Sequence, residues 1–153
     1  MDVTSMKKVG LISCSKKKQD KGGPAHRLYS ASTLFSKAYA YAQANYDVIY
    51  ILSAKHGLII PEMWIEPYDQ MLDKMPSKDR VKWGREIVRE LTLKYSRDEV
   101  EFYFHAGMLY RKLVMNKLSF HGYRCFVPLE GLMIGQQLAW YTNRLKGLRQ
   151  TTF

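Results

Sequence analysis

Ser53-Ala54-Lys55-His56-Gly57 gathers a hydroxyl, an ammonium group and an imidazole directly after an apolar run, Asp47–Leu52, and ends on a glycine turn. An imidazole titrates near neutral pH, so His56 is suited to protonate or hydrogen-bond a leaving group, and Lys55 to offset developing negative charge. Downstream, Glu66-Pro67-Tyr68-Asp69 supplies the carboxylates nearest in sequence. Asp69 or Glu66 is suited to stabilise a cationic transition state or activate water, as carboxylates do in glycoside cleavage. Tyr68 offers a ring on which a planar base can stack, and Tyr29 offers a second.

Three further clusters end apolar runs. Ser13-Cys14-Ser15-Lys16 combines two hydroxyls, a thiol, a lysine and turn amides, the donors that hold a phosphate or carboxylate. Neighbouring lysines lower a thiol pKa, so Cys14 is also a candidate nucleophile. The Gly-x-x-x-x-Gly-Lys-Ser/Thr spacing of a P-loop is absent. His105-Ala106-Gly107 and Glu130-Gly131 precede helical stretches, whose first amides are ready anion sites, with His105 a further acid–base candidate. Each cluster also has a plain structural use: capping turns, a buried thiol, a histidine satisfied by its neighbours. Cys14, Cys125, His56 and His105 lack Cys-x-x-Cys or His-Glu-x-x-His spacing, which argues against zinc, and no cofactor motif is present.

The elements that would position these groups follow from periodicity. Strands are expected near Lys8–Ser13, Asp47–Ser53, Val100–His105 and Tyr123–Val127. The Ser15–Pro24 stretch, rich in lysine and closed by Gly-Gly-Pro, is expected to be a surface loop. Ser30–Asn45 carries Leu34, Phe35, Ala38, Tyr41 and Ala42 at helical spacing. A second helix, with Ser77 as its N-cap, extends to about Tyr95, and others cover Met108–Leu118 and the stretch from Gly131 through Lys146. Residues 57–76, interrupted by Pro61, Pro67 and Pro76 yet rich in large apolar side chains, read as a wall or lid over a site. The expected architecture is one α/β domain over 1–153, three-layered, with a mostly parallel four-stranded sheet and helices on both faces. Ligands of such sheets bind at the carboxyl ends of the strands, where all four clusters lie.

The bulk properties limit the partners. A hydrophobic fraction of 46% argues against disorder, and no apolar run approaches the roughly 20 residues of a membrane span. Met1–Lys8 lacks the apolar stretch of a secretory signal, and two cysteines call for no disulfide framework, so a cytoplasmic location is expected, with no membrane partner. The net charge of +10 is uneven: +6 over residues 1–37, −1 over 38–99 and +5 over 100–153. Such a balance favours a polyanion, with nucleic acid or its pieces first. The oligomeric state is not legible.

Ser13-Cys14-Ser15-Lys16, Leu28-Tyr29-Ser30-Ala31-Ser32, Leu52-Ser53-Ala54-Lys55-His56-Gly57-Leu58 and Pro67-Tyr68-Asp69 together resemble a family of small, functionally uncharacterised phage and bacterial domains. The resemblance continues through His105-Ala106-Gly107-x-x-Tyr110 and Pro128-Leu129-x-Gly131-Leu132. More distantly, Leu52-Ser53-Ala54-x-x-Gly57-Leu58 with Pro61, Ile65 and Pro67-Tyr68 is similar to the YaaA family of peroxide-stress proteins, associated with DNA binding and oxidative damage. Cys14-Ser15-x-Lys17 and Tyr29-x-x-Ser32 are similar to a signature in the auxiliary domain of archaeosine tRNA-guanine transglycosylase-like enzymes, although its Lys-Pro-Tyr is absent here. These resemblances imply a uracil-DNA-glycosylase-like fold and a nucleic-acid or nucleobase ligand, with Ser32 among the binding residues.

The expected function is therefore an enzyme acting on nucleic acid or nucleobases, such as an N-glycosidase or base-modifying enzyme. In it Ser53, Lys55, His56, Asp69 and His105 would do the chemistry. Ser13, Cys14, Ser15, Lys16, Tyr29, Ser32, Gly57, Tyr68, Gly107, Glu130 and Gly131 would bind the substrate. The alternatives are a non-catalytic DNA- or RNA-binding module and a phage protein that captures a small nucleotide.

Overall fold

The structure is a computed structural model that describes residues 6–150, with side chains described to residue 147. Residues 1–5, which hold most of the stretch read as lacking a leader, lie outside the described residues, as do 151–153.

The four expected strands form as β1 (Lys7–Ser13), β3 (Val48–Ser53), β6 (Val100–His105) and β7 (Arg124–Phe126), and they pair in parallel. The sheet has five strands rather than four. After the Ser53–Gly57 turn the chain folds back as β4 (Gly57–Ile59), antiparallel to β3 with Ser53 opposite Gly57. The sheet order is β4-β3-β1-β6-β7. Gly57 makes the reversal with φ +74, a left-handed conformation that side chains disfavour. A second, two-stranded sheet pairs β2 (Gly23–Pro24) with β5 (Trp64–Ile65), so the lysine-rich loop and the lid segment hold each other.

Alternation along the strands divides the core in two. Val9 and Leu11 of β1, Tyr50 and Leu52 of β3, and Phe102 and Phe104 of β6 pack with α3 (Ser77–Lys94) and α4 (Met108–Phe120). Ile12 and Ile51 face the other way, toward α1 (Ala25–Leu28), α2 (Thr33–Asn45) and α5 (Ile134–Gln150). Gly84 of α3 lets that helix approach α4 closely, since a Cβ there would sit 2.6 Å from the Leu113 carbonyl oxygen.

Several boundaries differ from expectation for local reasons. The expected Ser30–Asn45 helix starts later: Ser30 and Ala31 belong to a 3-10 turn at Tyr29–Ala31 that follows α1, and the helix itself is α2, whose Phe35 amide donates to Ser32 Oγ at 3.2 Å. Ser32 thereby caps α2. Ser77 is not an N-cap: the proline before it takes that position and Ser77 opens the helix. Gly131, at φ +80, lies in a turn before α5 rather than in the helix. Among the described residues no helix is long and apolar enough to cross a membrane.

Candidate functional site

In chain order the sheet is built outward from β1 to β3, then resumes on the opposite side of β1 with β6. The point between β1 and β6 is therefore the topological switch, where connections leave for opposite faces and a crevice opens at the strand ends. A cavity of about 400 Å³ occupies this point. Ile12–Ser15 from β1, Phe104–Met108 from β6 and the start of α4, and Val127, Leu129, Gly131 and Leu132 after β7 line it. Ser32, Leu34, Phe35 and Ala38 of the α2 region, with Ile134, Gln137 and Tyr141 of α5, form another wall, and Arg111 of α4 completes the lining.

Three of the four clusters meet here. The fourth borders it through Cys14, whose Sγ accepts the Ala54 amide at 3.4 Å and lies 3.5 Å from Tyr110 Oη. Beyond that thiol, the Ser53 turn is a closed hydrogen-bonded unit. Ser53 is fully buried, and its Oγ accepts the His56 amide at 3.0 Å and the Tyr29 hydroxyl at 3.3 Å, with Tyr68 Oη 2.9 Å away. Tyr29 and Tyr68 hydroxyls also pair at 2.6 Å, and Trp83 donates to the Ser53 carbonyl at 2.8 Å. Burial pushes the Tyr29 hydroxyl up to about 12 and raises that of Tyr68 further, so both stay protonated.

The remaining expected catalytic groups lie apart from the crevice. Lys55, His56 and Asp69 are exposed. The His56 ring meets Tyr68 edge-on, and the Lys18 ammonium stands 4.3 Å from the centre of the Tyr68 ring. Partial desolvation, then the neighbouring Lys55 charge, lowers the His56 pKa. Burial also lowers that of Lys18, against opposing pulls from Cys14 and Asp69. Asp69 shares a shallow cavity with Lys16, and Glu130 lies on a different one beside β7.

His105 does reach the crevice, but both its ring nitrogens are engaged: Nε2 with Tyr46 Oη and Nδ1 with Tyr141 Oη, each at 2.5 Å. Burial lowers its pKa to about 4, so it is neutral at physiological pH, one nitrogen donating and the other accepting. In this arrangement the imidazole orients two tyrosines and offers no free edge.

What the crevice does offer is positive. Helix α4 begins at Met108 after its N-cap Gly107, with no side-chain cap and no acidic residue in its first turn, and both residues line the cavity, so the positive end of the helix lies at its wall. One turn in, Arg111 carries a buried Nε with no hydrogen-bond partner among the described residues. Among the described residues no carboxylate lines the cavity. Arg111 was not singled out from the sequence; the available signal was its place one turn after a glycine that opens a helix. Among the described residues no group of three His, Cys, Asp or Glu side chains could hold a metal ion.

Residues 9–143 match the model of a family of unknown function, DUF6884. The chain belongs to this family. The matched segment runs from within β1 into α5, and thus includes the other six strands, most of β1 and the whole lining of the crevice. No curated protein and no solved structure matches the chain.

Proposed function

We propose that the protein binds a nucleotide in the crevice between β1 and β6, as a nucleic-acid- or nucleotide-binding protein. The observation that carries this reading is Arg111: a buried guanidinium nitrogen without a partner, beside an uncapped helix start, in a cavity without carboxylates. Leaving such a group unpaired costs stability, and an anion supplies the missing acceptor. The phosphate would lie between Arg111 and the first amides of α4. The base would lie against the apolar wall of Leu34, Phe35, Leu129 and Leu132, with the Gln137 amide at its edge. The net charge of +10 suits the same ligand class.

Binding is favoured over N-glycosidic cleavage, because the carboxylate that would stabilise an oxocarbenium ion is not among the lining residues, Asp69 being on another cavity. The test is calorimetric titration with nucleoside monophosphates, the corresponding nucleosides and inorganic phosphate. Monophosphates should bind more tightly than either fragment, and Arg111→Met should weaken them by about tenfold or more, the scale of a lost charge-assisted hydrogen bond. Absence of binding, or binding indifferent to Arg111, would reject the reading.

A further inference from the structure

The face of the sheet beside the crevice carries a column of stacked rings. Parallel register aligns Gly10 of β1 with Tyr103 of β6, and Tyr103 with Phe126 of β7. Gly10 has no side chain, and the ring of Tyr46 fills its place: a Cβ there would lie 2.4 Å from Tyr46 Cδ2. Tyr46, Tyr103 and Phe126 therefore stack in sequence, with centroids 4.9 and 5.1 Å apart and planes within 25° and 23°. Since β7 is the last strand of the sheet, the column ends on Phe126, which is 42% exposed.

The adjoining row aligns Lys8, Glu101 and Arg124. The Glu101 carboxylate is buried and accepts the Tyr103 hydroxyl at 3.0 Å, whereas Lys8 and Arg124 are exposed. An open cavity of about 580 Å³ lies along this face, and Val127 lines both it and the crevice.

We propose that this face binds single-stranded nucleic acid, one base stacking on the outer side of Phe126 and the strand continuing past Val127 toward the crevice. This deepens the nucleotide reading, on which it rests, by naming an oligonucleotide as the ligand class. A base added to the column continues a stack the protein has already begun, and stacking of this kind tolerates any sequence because every base has a π-face. Lys8 and Arg124 flank the column as phosphate partners. A duplex, whose internal bases are already stacked on one another, offers a free face only at its two ends.

The experiment is fluorescence anisotropy with labelled single-stranded DNA, single-stranded RNA and duplex DNA of equal length, for wild type, Phe126→Ala and Phe126→Tyr. Either single strand should bind more tightly than duplex, with the DNA and RNA arms showing which is preferred. Phe126→Ala should weaken single-strand binding about tenfold, and Phe126→Tyr should retain it. Nucleoside monophosphate binding, measured on the same variants, should be unchanged. Equal affinity for duplex, or indifference to Phe126→Ala, overturns the stacking face even if monophosphates bind the crevice. Phe126-dependent oligonucleotide binding without any monophosphate binding would instead reject the crevice and retain the face.

Discussion

Tyr46 lays its ring where a side chain of Gly10 would stand and points its hydroxyl at Nε2 of His105, 2.5 Å away. One glycine thus sets the position of a tyrosine, and that tyrosine sets the orientation of a histidine at the crevice. Gly10→Ala would drive a methyl group into the Tyr46 ring and should destabilise the fold by about 1–3 kcal/mol, the usual cost of overpacking a tight contact. Urea unfolding checks this, and unchanged stability would mean that the ring shifts freely.

The buried imidazole gives an acid limb to stability. Its folded pKa of about 4 lies below the ordinary 6.5, so between these values the unfolded chain binds more protons than the folded one. The contribution is whole above about pH 6.5 and is lost as pH falls toward 4. His105→Gln should flatten this limb by something on the order of 2 kcal/mol. Denaturation midpoints of wild type and variant at pH 7 and pH 4.5 measure it, and equal slopes would contradict the assignment.

Ser53 makes a different demand. Its oxygen accepts an amide and a tyrosine hydroxyl and lies 2.9 Å from a second tyrosine hydroxyl. Ser53→Ala leaves those groups short of a partner and should cost about 1–3 kcal/mol. Tyr68→Phe should cost less, because Tyr29 and Ser53 can still bond each other. The order of the two losses, read from thermal melts with matched controls, is the check.

Arg111 should behave in the opposite sense. Arg111→Met removes a guanidinium nitrogen that is buried without a partner, so melting temperature should hold or rise while nucleotide binding falls. A variant that lost stability in proportion to binding would mark Arg111 as a structural residue.

β1, β3, β6 and β7 were legible in the sequence because each lies in a longer apolar run closed by small or ionisable residues, and three of the four end clusters do share one crevice. β4 was not legible: Gly57-Leu58-Ile59 is too short for alternation to register, and its pairing depends on a glycine reversal. β2 and β5 are two residues each and exist only through each other, a non-local fact. The site was legible as a place more than as a set of groups. Ser53 and His56 carry reactive side-chain types, but only the fold reveals that Ser53 is sealed beneath Tyr68 and His56 faces outward. Arg111 does not stand out in the sequence because arginine in a helix is common; its buried nitrogen is a property of packing.

The two outer strands, Gly57–Ile59 and Arg124–Phe126, are each three residues long. A flat, lengthy border of free amides and carbonyls invites other chains to add themselves to a sheet, and borders this brief give them little to copy. Arg124 sets a charge at one of them. The protein can therefore expose the ring of Phe126 at its margin without that margin becoming a seed for aggregation.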